Sequence, residues 1–167
     1  AMLSNHHRQS MAPGSSQGAG TSSKPIYSFP ELRPMEILQC MEDLRIALNE
    51  ADLSKPTPAT AQRVFEAFVD IFVGVPREAM ANGLGLLEMV EYPELHVEAI
   101  QLVAFHRACL RLMQEGGVED FGLRDIIRPE AGRFRLILSA VINFAKFREE
   151  QLAVFEELNR RSEELLE

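Results

Sequence analysis

From Pro34 onward the apolar positions recur at helical rather than strand spacing. In PMEILQCMEDLRIALNE (34–50), Ile37, Met41, Leu44 and Leu48 fall at i, i+4, i+7 and i+11, one stripe of a 3.6-residue helix. After the polar linker ADLSKPTP, Thr57 reads as an N-cap with Pro58 at the first helical position. They open ATAQRVFEAFVDIFVG, whose Phe65, Phe68 and Phe72 mark a buried face, and Gly74 and Pro76 stop it. REAMANGLGLLEMVE predicts a weaker helix, because Gly83 and Gly85 each lower helix propensity by up to about 1 kcal/mol relative to alanine. PELHVEAIQLVAFHRACLRLMQE predicts a long one, with Leu95, Ala99, Leu102, His106, Leu110 and Met113 along one side and Gly116-Gly117 as terminator. A short helical turn, DFGLRDII, leads to Pro129. No segment alternates as a strand would, so the expected fold is all-α, with about five main helices and no internal repeat.

The last helix, beginning after Pro129, is apolar almost all round. Phe134, Ile137, Leu138, Val141 and Phe144 form one face, with Ala145, and Leu136, Ala140, Ile142 and Phe147 widen it. Such a helix is expected at the centre of the fold, packed on several sides. Its apolar run, Leu136 to Ala145, is about half of the roughly 20 residues that a membrane span needs, so no membrane partner is expected. Beyond Phe147 the pattern narrows to heptad spacing through Phe144, Phe147, Val154, Leu158 and Leu165, with Gln151 and Arg161 at two of the positions. Residues 149–167 are therefore expected to begin a coiled-coil helix whose partner-facing residues are Val154, Phe155, Leu158 and Leu165. The expected organisation is a disordered tail over 1–23, rich in glycine and serine, a helical head over 24–148, and this helix.

Charge narrows the function. With a net charge of -8 and a pI near 5.1, the chain is not a general binder of nucleic acid, which needs clustered lysine and arginine for counterion release. Arg124, Arg128, Arg133, Arg135, Lys146 and Arg148 nevertheless share one segment, so a local basic face is open to an acidic partner. Cys40 and Cys109 sit far apart without a CxxC pairing, which fits reduced thiols. The first 24 residues carry no apolar signal-peptide core.

Catalytic and metal-binding patterns are missing. His96 and His106 lie ten residues apart on one predicted helix, about 280° around it, and cannot chelate together. His106, flanked by Leu102 and Leu110, reads as a half-buried structural histidine. The Gly83–Gly85 pair is too little for a phosphate loop, and no GxSxG, HExxH or Ser-His-Asp arrangement is present. The glutamate pairs at 149/150, 156/157 and 163/164 recur every seven residues, as a solvated helix flank does. Neither enzymatic activity nor a cofactor is expected.

DIIRPEAGRFRLILSAVINFAKFRE (125–149) resembles the end of the N-terminal domain in the family of the Nuf-two subunit of the outer-kinetochore Ndc-eighty complex. Asp125, Ile126, Pro129, Arg133, Leu138, Ser139, Ile142, Asn143, Phe144, Phe147, Arg148 and Glu149 carry the match. Upstream, YSFPELRPMEIL resembles the start of the same domain, so the resemblance runs from about Tyr27 to Glu157. Val141 stands where the family usually has isoleucine, and the linker after the first helix is short, with Lys55 as its one basic residue.

The resemblance implies a calponin-homology head and a non-enzymatic adaptor role in attaching chromosomes to spindle microtubules, located in the nucleus at the centromere and kinetochore. It further implies heterodimerisation with an Ndc-eighty-like calponin-homology subunit through a coiled coil, weak electrostatic contact with the microtubule lattice, and other kinetochore factors as further partners. The candidate contacts with microtubules or an acidic partner are Lys24, Arg33, Lys55, Arg133 and Arg135. Two rival readings remain at this stage: a lone calponin-homology module binding actin or a signalling partner, and a self-dimerising domain joined through 149–167. The favoured reading expects an isolated monomer. Asn143, set among apolar neighbours, is expected to find a hydrogen bond within the fold.

Overall fold

A computed structural model describes residues 29–165; the expected tail over 1–23 lies outside them. Seven α-helices are described: α1 (Pro34–Asp43), α2 (Glu50–Ser54), α3 (Pro58–Phe68), α4 (Arg77–Ala81), α5 (Val97–Glu115), α6 (Leu123–Ile127) and α7 (Ala131–Glu164). A π-helical turn, Val69–Val73, extends α3, and two 3-10 segments, Gly83–Met89 and Pro93–Leu95, join α4 to α5. No strand occurs among the described residues, and the fold is all-α with a long C-terminal helix, as expected.

Local chemistry sets the boundaries. The Arg33 N–H donates to Glu36 Oε2 at 2.8 Å, and Asn49 and Asp52 exchange backbone-to-side-chain bonds of 3.2 and 2.9 Å, so α1 and α2 both satisfy orphan donors at their starts. Thr57 caps α3 as expected, its Oγ1 accepting from the Thr60 N–H at 3.1 Å with Pro58 next in line. The π-turn closes at Gly74, whose φ of +71° a side chain would resist.

The sequence pattern extends two helices past the point where the chain breaks them, and most of α2 lies in the stretch expected to be a polar linker, ADLSKPTP. The predicted 34–50 helix ends at Asp43, because Arg45 adopts φ +58° and the chain restarts at Asn49. The predicted 77–91 helix is cut after Ala81, where Gly83 and Gly85 take φ +64° and +82°.

The first half of α7 is the pillar of the core, with α1, α2 and α5 packed against it and α3 bridging α5 and α6. Phe134, Ile137, Leu138 and Val141 are all at most 1% exposed, as expected for a central helix. Phe65, fully buried on α3, meets Phe121 and Phe134 edge-on at centroid distances of 5.6 and 5.9 Å.

Two expected core aromatics require correction. Phe144 and Phe72 are only partly buried and pack on each other at 6.4 Å, because both lie where the core opens toward the exposed end of α7. Truncating Phe144 therefore costs less than the about 3–5 kcal/mol of a fully buried phenylalanine.

On α5 the buried stripe is Phe105, Ala108, Cys109, Leu112 and Met113. Of the stripe predicted for this helix only Met113 is fully buried, while Leu95 is 73% exposed and Ala99 faces solvent. The helix begins at Val97, after the first predicted position, so the apolar count was taken in the wrong phase.

Candidate partner interface

The candidate interface is built on α7 as it leaves the core. At 1.5 Å per residue its 34 residues extend about 51 Å. Burial ends at Ile142, and from Lys146 to Leu165 nearly every residue is exposed. The apolar residues nonetheless continue: Phe147, Val154, Phe155, Leu158 and Leu165 are 55–87% exposed. Leu152, which the heptad reading missed, lies three residues before Phe155 and widens the stripe. A shallow groove of about 440 Å³ runs along Arg148, Gln151, Leu152, Val154, Phe155 and Leu158. Apolar stripes at this spacing are the kind that helix pairs bury.

Ion pairs on the polar flank add modestly to helicity at the end of α7. Arg160 bridges Glu157 at 2.8 Å and also pairs with Glu164, while Arg161 meets Glu157 at 2.7 Å. The Arg160 and Arg161 guanidinium groups hold the Glu157 carboxyl below the usual carboxylate range.

Polar contacts fix the helix to the head. The Asn143 Nδ2 donates to Pro30 O at 2.9 Å and to Ser139 O at 2.8 Å, so the expected amide partners exist. Fully buried Ser139 accepts from the Leu32 N–H at 2.9 Å, tying the extended chain before α1 to the pillar. At the exit, Arg148 Nη1 donates to the carbonyl of Phe72 at 3.0 Å and braces the helix on the π-turn. Replacing Asn143 with alanine is expected to lower stability by about 1 kcal/mol, measured by urea unfolding. An unchanged midpoint would show that the amide contributes nothing.

The candidate basic contacts divide. Arg133 is correctly placed in the last helix but is engaged within the fold: it pairs with Asp120 at 2.9 Å and with Asp125 at 3.1 Å, its side chain 22% exposed. It clamps the loop before α6 onto α7, which removes it from the set of cations available to an acidic partner. Arg33 is 86% exposed, with Glu36 at 3.7 Å, and Arg135 is half-buried on α7. These two share a neighbourhood around Ser139, whose hydroxyl accepts from Leu32 N–H and donates to Arg135 O. Lys55 is exposed at the end of α2, which also packs on α7. Lys24 lies outside the described residues.

Reactive groups elsewhere serve the fold. Burial, and secondarily Glu66, pushes the Cys109 thiol well up, so its thiolate is strongly disfavoured. Cys40 is partly buried. In the native protein at about pH 8, Cys109 is expected to resist alkylation until the chain is unfolded, whereas Cys40 reacts first; peptide mass mapping distinguishes the two. Rapid native labelling of Cys109 would contradict its burial. His106 stacks on Phe121 at 6.0 Å and 18°, and its Nε2 is buried without a hydrogen-bond partner among the described residues. Among the described residues no group of histidine, cysteine and carboxylate side chains could hold a metal ion, and no helix is long and apolar enough to cross a membrane.

The fold is thus a helical head whose central helix continues out of the core with an apolar stripe exposed. Residues 25–167 match the Nuf2 family. The chain is 36% identical over 142 residues to a kinetochore protein nuf2 of Schizosaccharomyces pombe, which covers 84% of this chain and 32% of that protein. It is 35% identical over 141 residues to a probable kinetochore protein NUF2 of Yarrowia lipolytica (84% and 30%), and 32% identical over 169 residues to one of Aspergillus oryzae (97% and 36%). The chain belongs to the Nuf2 family. It spans about a third of the length of the curated relatives it matches.

Proposed function

We propose that this chain is the head and first stalk turns of a non-enzymatic kinetochore subunit, located in the nucleus at the centromere. In this reading the head has the calponin-homology form, and the stalk zips with an Ndc-eighty-like calponin-homology subunit to give a heterodimer that attaches chromosomes to spindle microtubules. The observation that carries the reading is the continuity of α7, buried at Phe134–Ile142 and exposed but still apolar at Phe147–Leu165. An apolar face that the fold itself leaves uncovered gains free energy when a partner helix removes it from water.

Direct microtubule contact is minor and electrostatic. A body of net charge -8 is repelled by the acidic tubulin surface, so attraction is left to local cations, with Arg33, Lys55, Arg135 and Lys24 as the candidates. Other kinetochore factors join as further partners. Cosedimentation in a salt series tests this: weak microtubule binding by the chain alone, stronger binding with its partner subunit, weakening with salt, and no binding to actin filaments. Actin pelleting, or microtubule binding indifferent to salt, would refute it and favour a lone calponin-homology module.

A further inference from the structure

A second uncovered surface lies away from the stalk. Between Arg77 and Arg107 the chain contains no lysine or arginine but five glutamates, Glu78, Glu88, Glu91, Glu94 and Glu98. Within this stretch Met89, Tyr92 and Leu95 are 82, 59 and 73% exposed. Leu95 ends the 3-10 segment just before α5, and on α5 itself Ala99 and Val103, one turn apart, are exposed as well, so this stretch carries an apolar ridge. This ridge includes the beginning of the stripe that the helical pattern places along one side of this segment. On the adjoining face of α5 a groove of about 400 Å³ is lined by Met80, Leu102 and Phe105 together with Glu98 and with Glu66, which Arg77 at the groove wall already pairs at 3.5 Å.

The surface is held in place. Gly83 is buried with φ +64°, and a Cβ there would stand 2.6 Å from Ile100 Cγ2, so the segment before the ridge is pressed onto α5. Gln101 Nε2 adds a bond of 2.6 Å to Ala81 O. Among the described residues, Glu88, Glu91, Glu94 and Glu98 enter no ion pair.

We propose that this acidic apolar face docks a basic amphipathic segment of another protein. Its lysine and arginine side chains meet Glu88, Glu91, Glu94 and Glu98, and its apolar side chains cover Met89, Tyr92 and Leu95 and enter the groove. Charge complementarity selects this occupant: a filament with an acidic surface is repelled here, and a second copy would set four glutamates against four. The inference is independent of how the stalk pairs.

The probe is a fluorescent synthetic peptide of about 18 residues, all lysine and leucine, with leucine at helical i, i+3, i+4 spacing; its control has the same composition with the spacing permuted. Binding to the 167-residue chain is read by anisotropy at about 0.15 M salt. The amphipathic peptide is expected to bind at least about tenfold more tightly than the permuted one. Glu91→Lys with Glu94→Lys, and separately Leu95→Glu, are each expected to weaken it at least about tenfold, while Glu149→Lys with Glu150→Lys on α7 changes it less than about twofold. Unchanged circular dichroism shows that each variant is folded, and either ridge variant suffices if the other fails to fold. Absence of binding, equal binding of both peptides, or equal loss from the α7 variant would overturn the proposal. So would a self-dimer by light scattering that Leu95→Glu abolishes, or loss of peptide binding when the partner subunit is co-expressed, since another occupant then covers the face.

Discussion

Replacing Phe65 with alanine is expected to lower the stability of the head by about 3–5 kcal/mol, or roughly 10 °C in Tm. The ring is fully buried on α3 and touches Phe121 and Phe134 edge-on. It therefore joins three elements: α3, the loop before α6, and the pillar α7. Truncation removes the transfer free energy of the ring and leaves a cavity that three separately anchored segments cannot easily close. The same change at Phe144 is expected to cost less, because that ring is partly in solvent already. Equal losses at the two positions, by thermal or urea unfolding, would contradict the placement of the core.

The opposite profile is expected on the stalk. Phe155→Asp combined with Leu158→Asp is predicted to weaken assembly with the partner subunit by at least about 100-fold, since a charge at each of two central apolar positions of a helix pair must be desolvated. Both side chains are more than half exposed in the chain alone. Head stability should therefore change by no more than about 0.5 kcal/mol. Co-purification reads the first effect and urea unfolding the second. A double variant that still co-purifies at wild-type yield would place the partner elsewhere; one that unfolds the head would mean that the stalk folds back onto it.

The pillar was legible because an apolar helix of this length admits few other readings, and Phe134, Ile137, Leu138 and Val141 all lie where periodicity put them. The Thr57-Pro58 start of α3 was legible for a local reason: cap chemistry is written in two adjacent residues. What escaped was non-local. Nothing in the spacing tells that Arg45 turns left-handed after α1, or that α5 begins at Val97 with its buried face out of phase with Leu95 and Ala99. Arg133 looked like a free cation because its partners, Asp120 on the loop before α6 and Asp125 on α6, are brought to it by a chain path that only the fold determines. The resemblance singled out Ser139, but its structural role was not legible in the spacing, because that role depends on Leu32, 107 residues away.

The central claim is that α7 leaves the head uncovered in order to join a different chain. Its most direct test is the solution mass of this chain by light scattering, alone and co-expressed with an Ndc-eighty-like subunit. The account predicts a monomer of 18.8 kDa alone and a one-to-one heterodimer in co-expression. A stable self-dimer, or a monomer that ignores the second subunit, would contradict it.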